Sequence, residues 1–556
     1  MATIGSFKLS EAHRGNPAFS SFRTTIETAF FRNNVEKVFD VAKAYELAAA
    51  SPGTIETGLE ILEPEHIGLP EKSRVLLFND GTVTGRCAAA RRIAGTPGID
   101  PEEYSGILRE AVYQTRLRKM YHASAVIGLA RPFMVKAHLL VPQTHENILY
   151  NWMLNFQPFT REIQQMYNLS HSVGSEPDIL VFSDPDWRHP DFPLGLSFFD
   201  PLHNCAAILG MRYFGEFKKG TLTLGWGIAN RNGYAACHGG QKKYQQNGKE
   251  PFVVGFFGLS GSGKSTLTHA KHDGKYDVVV LHDDAFIISE TQGSSIALEP
   301  TYFDKTADYP PDSPDNRFLL SVQNNGAILD ESGRVVPLTE DVRNGNGRAI
   351  KSRLWSPNRV DELKEPVQAI IWLMKDSTLP PVLKVKDPIL AATMGASLAT
   401  KRTSAERLAP GVDPDALVFE PYANPFRTYP LQKDYVRFKA LFEKRGVDCY
   451  VFNTGFFQDT KIPKQLTLSA LEAIVEDRAS FQTWQPFASF QIMELQGFRP
   501  PMEDFSYLKK LSERMKERLL FFEKLSERNG GFDQLPDECL HEIQKLMTSL
   551  NEFRTL

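Results

Sequence analysis

The segment Gly258-Leu-Ser-Gly-Ser-Gly-Lys-Ser265 restricts most strongly what this chain can fold into. The apolar run Phe252–Phe257 precedes it, and Ser265-Thr266-Leu267 can open a helix. Strand, glycine-rich turn and helix start satisfy G-x-x-x-x-G-K-[ST] in full. Glycines there let backbone N–H groups turn inward on an anion, and a helix N-terminus adds partial positive charge. The expected nucleotide-binding residues are Gly258, Leu259, Ser260, Gly261, Ser262, Gly263, Lys264, Ser265 and Thr266. Lys264 would reach the β- and γ-phosphates, and the Ser265 hydroxyl would meet Mg²⁺.

A second element follows. Val278-Val-Val-Leu281-His282-Asp283-Asp284 is an apolar run ending in two acids, with Asp283 nineteen positions after Lys264. A carboxylate at the end of a strand can be aimed at a metal. Adjacent residues of an extended chain point to opposite sides, so the two acids are expected to serve different ligands.

Charge and composition exclude other classes. Lys plus Arg is 63 and Asp plus Glu is 67, a net charge of −4, so general nucleic-acid binding is not expected. Five scattered cysteines make neither a disulfide framework nor a Cys-x-x-Cys zinc site. The start has no apolar leader core, and Phe252–Leu259 and Val367–Met374 fall short of the roughly 20 residues a membrane span needs. The expectation is a soluble cytoplasmic protein without membrane partners.

Patterning along the chain predicts a mixture of helices and strands. Residues 24–50 read as helical, 73–79 as a strand, 102–121 as a helix, and 130–141 as a buried strand. Short strands are expected at 178–182 and 205–209. Residues 241–249 (QKKYQQNGK) read as a polar surface connection, with a domain boundary near 230–250. Residues 505–556 carry charged helical periodicity and are expected to pack as an amphipathic helix pair on the outside.

Upstream of the loop stand Tyr213-Phe-Gly-Glu-Phe-Lys218-Lys219-Gly220 and, nineteen residues after Lys219, His238. Alone, a lysine pair reads as a solvated face and a histidine as a core residue. In this order, with the loop and the paired acids, the segments resemble the ATP-dependent phosphoenolpyruvate carboxykinase family. Gly85-Arg86, Tyr302-Phe-Asp-Lys305-Thr306, Ser352-Arg353-Leu-Trp-Ser-Pro357, Leu379-Pro-Pro-Val382 and Asn453-Thr454-Gly455 resemble further motifs, so the likeness spans roughly residues 75–475.

The resemblance implies a two-lobed phosphoenolpyruvate-carboxykinase-like α/β fold with mixed sheets. Residues 1–240 would be the substrate-binding lobe, 241–490 the P-loop nucleotide- and metal-binding lobe, and 491–556 a helical extension. It implies conversion of oxaloacetate and ATP to phosphoenolpyruvate, CO₂ and ADP. Arg86 would bind the substrate carboxylate, Tyr213 would hold substrate or CO₂, and Lys218 would belong to the catalytic set. Lys264, Lys305 and Arg353 would surround the moving phosphoryl group. Lys461, Ile462 and Thr467 would line the adenine. Lys219, His238 and Asp284 would bind Mn²⁺, while Ser265 and, through water, Asp283 would hold Mg²⁺ with the nucleotide. Residues 384–407 fall where the family places a mobile lid.

The chain departs from the pattern at Cys87-Ala-Ala-Ala-Arg91, at His282 and at Lys461, and residues 308–350 look like a different insertion. The departures at 87–91 and at 282 keep a second reading open. In it, a kinase on the same scaffold phosphorylates another small-molecule or protein acceptor.

Overall fold

Apolar runs bounded by turn residues become strands in this protein, and the strands pair into several mixed sheets. The computed structural model describes residues 9–555 except 12, 14–15, 17–18, 80–84, 171–175, 246–247, 260, 311–312, 341–345 and 402–415. The chain groups into two compact units. One takes in the described residues of Met1–Ile228 and Leu298–Pro357; the other takes in those of Ala229–Ala297, Asn358–Thr403 and Asp413–Leu556.

In the first unit, an eight-stranded mixed sheet is built around the long buried strands Met120–Ala130 and Phe133–Pro142. Its core joins Ile26, Leu108, Leu140, Phe182, Phe198 and Leu209, all buried. Each such side chain contributes about 1.5–3 kcal/mol by leaving water. Helix α1 (Phe214–Arg231) lies close to this sheet. A methyl on Gly220 would come within 3.3 Å of Ile208 and Phe199, and one on Gly225 within 3.1 Å of Ile127. A five-stranded sheet completes the unit, in which Leu319–Gln323 runs parallel to Arg74–Phe78. Residues 319–323 and 348–351 are strands of this sheet.

The second unit opens with strands β1 (Tyr234–His238), β2 (Gly240–Gln245) and β3 (Phe252–Phe257). The short helix α2 (Lys264–His269) and strands β4 (Asp277–His282) and β5 (Ala285–Ser289) follow. Strands β6 (Ala369–Met374), β7 (Val382–Val385), β8 (Asp448–Asn453), β9 (Phe481–Trp484) and β10 (Phe487–Met493) complete the set. The main sheet runs β4-β2-β3-β6-β8-β7-β10-β9. Since β2 is antiparallel to both β3 and β4, those two run the same way, and β6 and β8 are parallel to β3. The C-terminal ends of four strands thus share one edge. Strand β4 carries an additional residue there: Gln241 pairs with His282 and Lys242 with Val280, leaving Leu281 as a bulge.

Three expectations need correction. The helical stretch at 24–50 is two helices, Ser21–Ala29 and Val41–Ala49, separated by strand Val35–Val38. Asp40 caps the second helix by accepting from Lys43 N, and Val35–Val38 pairs with Met120–Ala123. Sheet pairing here overrides a local helical pattern. The polar stretch expected as a surface connection contains β2, which lies inside the main sheet. Its lysines are matched individually: Lys242 Nζ donates to Ala270 O at 3.0 Å and meets His272 Nε2 at 3.1 Å, and Lys243 pairs with Glu365 at 2.7 Å. The described part of 384–407 is core, not lid. It forms the end of β7, the buried helix α3 (Pro388–Ala396) and strand Ala399–Lys401; 402–407 lie outside the described residues.

The C-terminal helices are as expected in kind. α4 (Phe505–Glu527) and α5 (Asp537–Thr555) pack on each other within the second unit. Arg518 on α4 is fully buried and meets Asp376 at 2.8 Å, and Arg514 meets the same carboxylate at 3.3 Å. All five cysteines are buried and free. Among the described residues no helix is long and apolar enough to cross a membrane.

Candidate functional site

In the second unit the shared strand edge gathers most of the residues singled out from sequence. After β3 the chain turns through Gly258–Gly263 into α2. A methyl on Gly258 would stand 2.2 Å from Ser262 Oγ, so only glycine lets the turn close on itself. Gly261 and Gly263 take φ of +78° and +92°, a region that disfavours side chains. Ser260 lies outside the described residues. α2 has only six residues, so the amides of the turn, more than a long helix dipole, are available to an anion.

Next along the edge, β4 ends at His282 and the two acids diverge. Asp283 is buried and meets His269 Nε2 at 3.3 Å. Burial pushes its carboxyl up, but the hydrogen bond with His269 and the charges of His269, Lys264 and His282 outweigh that and hold it well below the carboxylate range. Asp284 Oδ1 instead meets His238 Nε2 at 3.0 Å. His282 accepts the Asp284 N–H at 3.1 Å and so fixes the turn that separates the acids. Gly239 N donates to Asp284 O at 3.2 Å, tying the β1–β2 junction to the same place. His238 Nδ1 hydrogen-bonds the carbonyl of Ala423.

The remaining two strand ends close on the glycine turn. Thr454, after β8, donates from Oγ1 to Ser262 O at 2.8 Å. Asn453 Nδ2 donates to the carbonyls of Asp376, Leu379 and Phe456, each at 2.8 Å, and so knits this turn to the one after β6. Ile462 is buried and its N–H donates to Gly455 O at 3.0 Å; Thr467 is buried on the helix Lys464–Val475, and Lys461 is exposed.

The first unit gathers a different set around Phe303. Lys218 Nζ lies 5.3 Å from the centre of that ring and the Arg348 guanidinium 5.6 Å. The rings of Tyr213 and Phe214 stand at 6.4 and 5.4 Å. Lys305, two residues along the same strand, faces the same side as Phe303 and pairs in register with Arg348. Burial, then the Arg348 charge, pulls the Lys305 pKa down, with Asp308 opposing. Lys218 is fully buried against Glu299 at 3.0 Å, and Glu299 also accepts from Asn155 at 2.6 Å. Arg86 is buried beside Arg91, which meets Glu216 at 3.4 Å. Burial pulls Arg91 down to about 10; Glu216 opposes this and Arg86 adds to it. Lys219 stands on α1, and Arg353 opens the short helix Arg353–Trp355 after strand Arg348–Lys351.

Sequence reasoning missed Phe303, Arg348, Glu299, Glu216, His269 and Lys375. Three had usable signals. Phe303 lies inside the Tyr302–Thr306 motif and Glu216 inside the Tyr213–Gly220 motif. Lys375 follows the apolar run Val367–Met374, which is the same strand-end pattern that singled out Asp283. Glu299 is a lone acid whose partner only folding reveals.

Among the described residues no group of three His, Cys, Asp or Glu converges on a metal position. The donor set at His238 nevertheless suits a cation. Nδ1 is directed at a carbonyl, and Nε2 stands 3.0 Å from Asp284 Oδ1; with the ring neutral and its proton on Nδ1, both atoms would offer lone pairs to a cation. Octahedral donors about 2.1 Å from a metal ion stand about 3.0 Å apart. A backbone carbonyl on the other ring nitrogen is the usual way a ligating histidine is oriented.

The phosphoenolpyruvate carboxykinase family model matches residues 72–497. The ATP-type enzyme of Aeropyrum pernix is 27% identical over 293 residues, 50% of this chain and 58% of that protein. Its Dictyostelium discoideum counterpart is 24% identical over 223 residues, 37% of this chain and 38% of that protein, so these two matches span about half of the relatives' lengths. The Saccharomyces cerevisiae protein is 22% identical over 462 residues, 76% of this chain and 79% of its own. A match running from residue 72 to 497 takes in the strand-end turns of one unit and the Phe303 cluster of the other, and the chain therefore belongs to the ATP-type phosphoenolpyruvate carboxykinase family.

Proposed function

We propose that this protein converts oxaloacetate and ATP to phosphoenolpyruvate, CO₂ and ADP. The observation that carries this reading is the His238–Asp284 pair, an imidazole nitrogen and a carboxylate oxygen 3.0 Å apart beside the glycine turn. A protein that only sensed nucleotide would need the turn but not this second cation position.

His238 Nε2, Asp284 and the amine of Lys219 would hold Mn²⁺, a mixed N and O donor set that suits it better than Mg²⁺. Lys219 can act there only as the neutral amine, which a cation nearby and burial both favour. When bound, the ion supplies positive charge for the oxygen that becomes an enolate as CO₂ leaves. Ser265 and, through water, Asp283 would hold Mg²⁺ with the triphosphate.

The chain's own groups do the rest. Arg86 would fork onto the substrate carboxylate, and Tyr213 would hold substrate or CO₂ by its ring edge and hydroxyl. Lys218, engaged by Glu299, would position the Phe303 wall rather than meet substrate. Lys264, Lys305 and Arg353 would surround the transferring phosphoryl group with positive charge, which is most of what that step requires. Ile462, Thr467 and Lys461 would flank the adenine.

The test is purified protein with ATP, Mn²⁺ and oxaloacetate, following phosphoenolpyruvate. No product over a range of Mn²⁺ and nucleotide concentrations sinks the reading. A second reading, a kinase with another acceptor on this scaffold, is favoured at one point: Arg91 is committed to Glu216 beside Arg86, where the family pattern has Ser-Pro-Lys-Asp. Transfer of phosphate to a different added acceptor, with none to oxaloacetate-derived enolate, would select it.

A further inference from the structure

Strand β6 lies beside β3 in parallel, with Phe257 opposite Trp372, so the chain leaving β6 runs alongside the glycine turn. Its first residue past the strand is Lys375. A methyl placed on Gly261 would stand 3.8 Å from Lys375 Nζ, and one placed on Gly455 would stand 3.5 Å from Lys375 Cβ. The side chain is therefore seated against the Asn453–Gly455 turn, with its ammonium directed at the tip of the glycine turn.

The ammonium is half-buried and lacks a counter-charge. Among the described residues no carboxylate or carbonyl pairs with it. Asp376, its neighbour in the chain, is already engaged by Arg518 at 2.8 Å, Arg514 at 3.3 Å and Thr378 Oγ1 at 2.7 Å. Burial, with the positive charge of Lys401, pulls the Lys375 pKa down. Burying a cation is costly unless something negative meets it. Facing it is Gly261, an exposed residue of the glycine turn.

We propose that Lys375 binds a phosphate oxygen of the nucleotide seated on the Gly258–Ser265 turn, as a second cation beside Lys264. This rests on the reading that the turn takes ATP, and it adds a group that the motif itself does not contain. A lysine at a phosphate acts as a point charge, so its removal weakens affinity without altering the turn.

The test measures MgATP affinity of the full chain by calorimetry for wild type, Lys375→Met, Lys375→Arg and Lys264→Ala. The expected result is about tenfold weaker binding in Lys375→Met, recovered largely in Lys375→Arg. ATP should also slow acylation of Lys375 by an amine-directed reagent, whereas adenosine should not, which a purely structural lysine would not show. Lys375→Met binding within twofold of wild type, or acylation indifferent to ATP, overturns the proposal while leaving the nucleotide reading intact. Wild type that does not bind MgATP overturns both. Protection by pyrophosphate but not by ATP overturns the assignment to nucleotide. If Lys375→Met does not fold, Lys375→Gln is read by the same criteria.

Discussion

The two charged clusters are built on opposite principles. In the first unit three of the cations come with acids: Lys218 with Glu299, Arg91 with Glu216, Lys351 with Asp304. In the second unit acids meet histidines at strand ends, and among the described residues neither Lys264 nor Lys375 has a carboxylate partner. The Phe303 cluster is thus part of what holds its unit together. The strand-end cluster is held by backbone amides and carbonyls, which leaves its lysines for a ligand. Charge of the same sign is in part structural in one place and reserved in the other.

Substitutions can break or sharpen that contrast. Lys264→Ala should lower phosphoryl transfer by about a thousandfold or more while leaving the unfolding temperature nearly unchanged, since among the described residues its side chain makes no hydrogen bond or ion pair. An unfolding midpoint that falls with the activity would erase the distinction. Glu299→Ala should do the reverse in the first unit. It strands Lys218 in the interior, costing about 3–5 kcal/mol, read as a lowered unfolding midpoint in circular dichroism.

His238→Asn should weaken Mn²⁺ binding by about 10–100-fold, measured by metal titration, with little loss of stability. The smallest effect concerns Lys242, which faces His272, Tyr244 and, through His272, Glu472. Burial pulls its pKa from 10.5 to about 7, with Glu472 opposing. Between those values the unfolded chain holds more protons, so this lysine makes stability rise with pH; below pH 7 its burial penalty is present in full. Lys242→Met should flatten urea-unfolding stability between pH 8 and 10 by about 1 kcal/mol per pH unit.

The second unit's site was the more legible in sequence, for a physical reason. A turn that must wrap an anion needs particular residues at consecutive positions, and an acid at a strand end follows an apolar run. Both leave local marks, and the paired acids diverge to different partners at the turn after β4 rather than by strand alternation. The first unit's cluster is assembled from residues 86–91, 213–219, 299–305 and 348, and its partner Glu299 leaves no such mark. β2 was misread because local polarity was taken for exposure, whereas Lys242 and Tyr244 each find His272 inside. The helix expected over 24–50 failed because Val35–Val38 has a sheet partner some 85 residues away.

Leu281 works as a phase adjuster. Strand β4 reads its register from β2, whereas β5 reads its own from β1, with His238 opposite Ala285. The unpaired Leu281 takes up the difference of one residue between those two readings, and Asp283 and Asp284 fall just after it. Were Leu281 paired opposite Gln241 instead, with Val280 kept opposite Lys242, every later residue would fall one place back. His282 would then stand where Asp283 now meets His269, and Asp283 where Asp284 now meets His238. Which side chain meets each histidine is therefore set by whether one leucine is counted in the ladder.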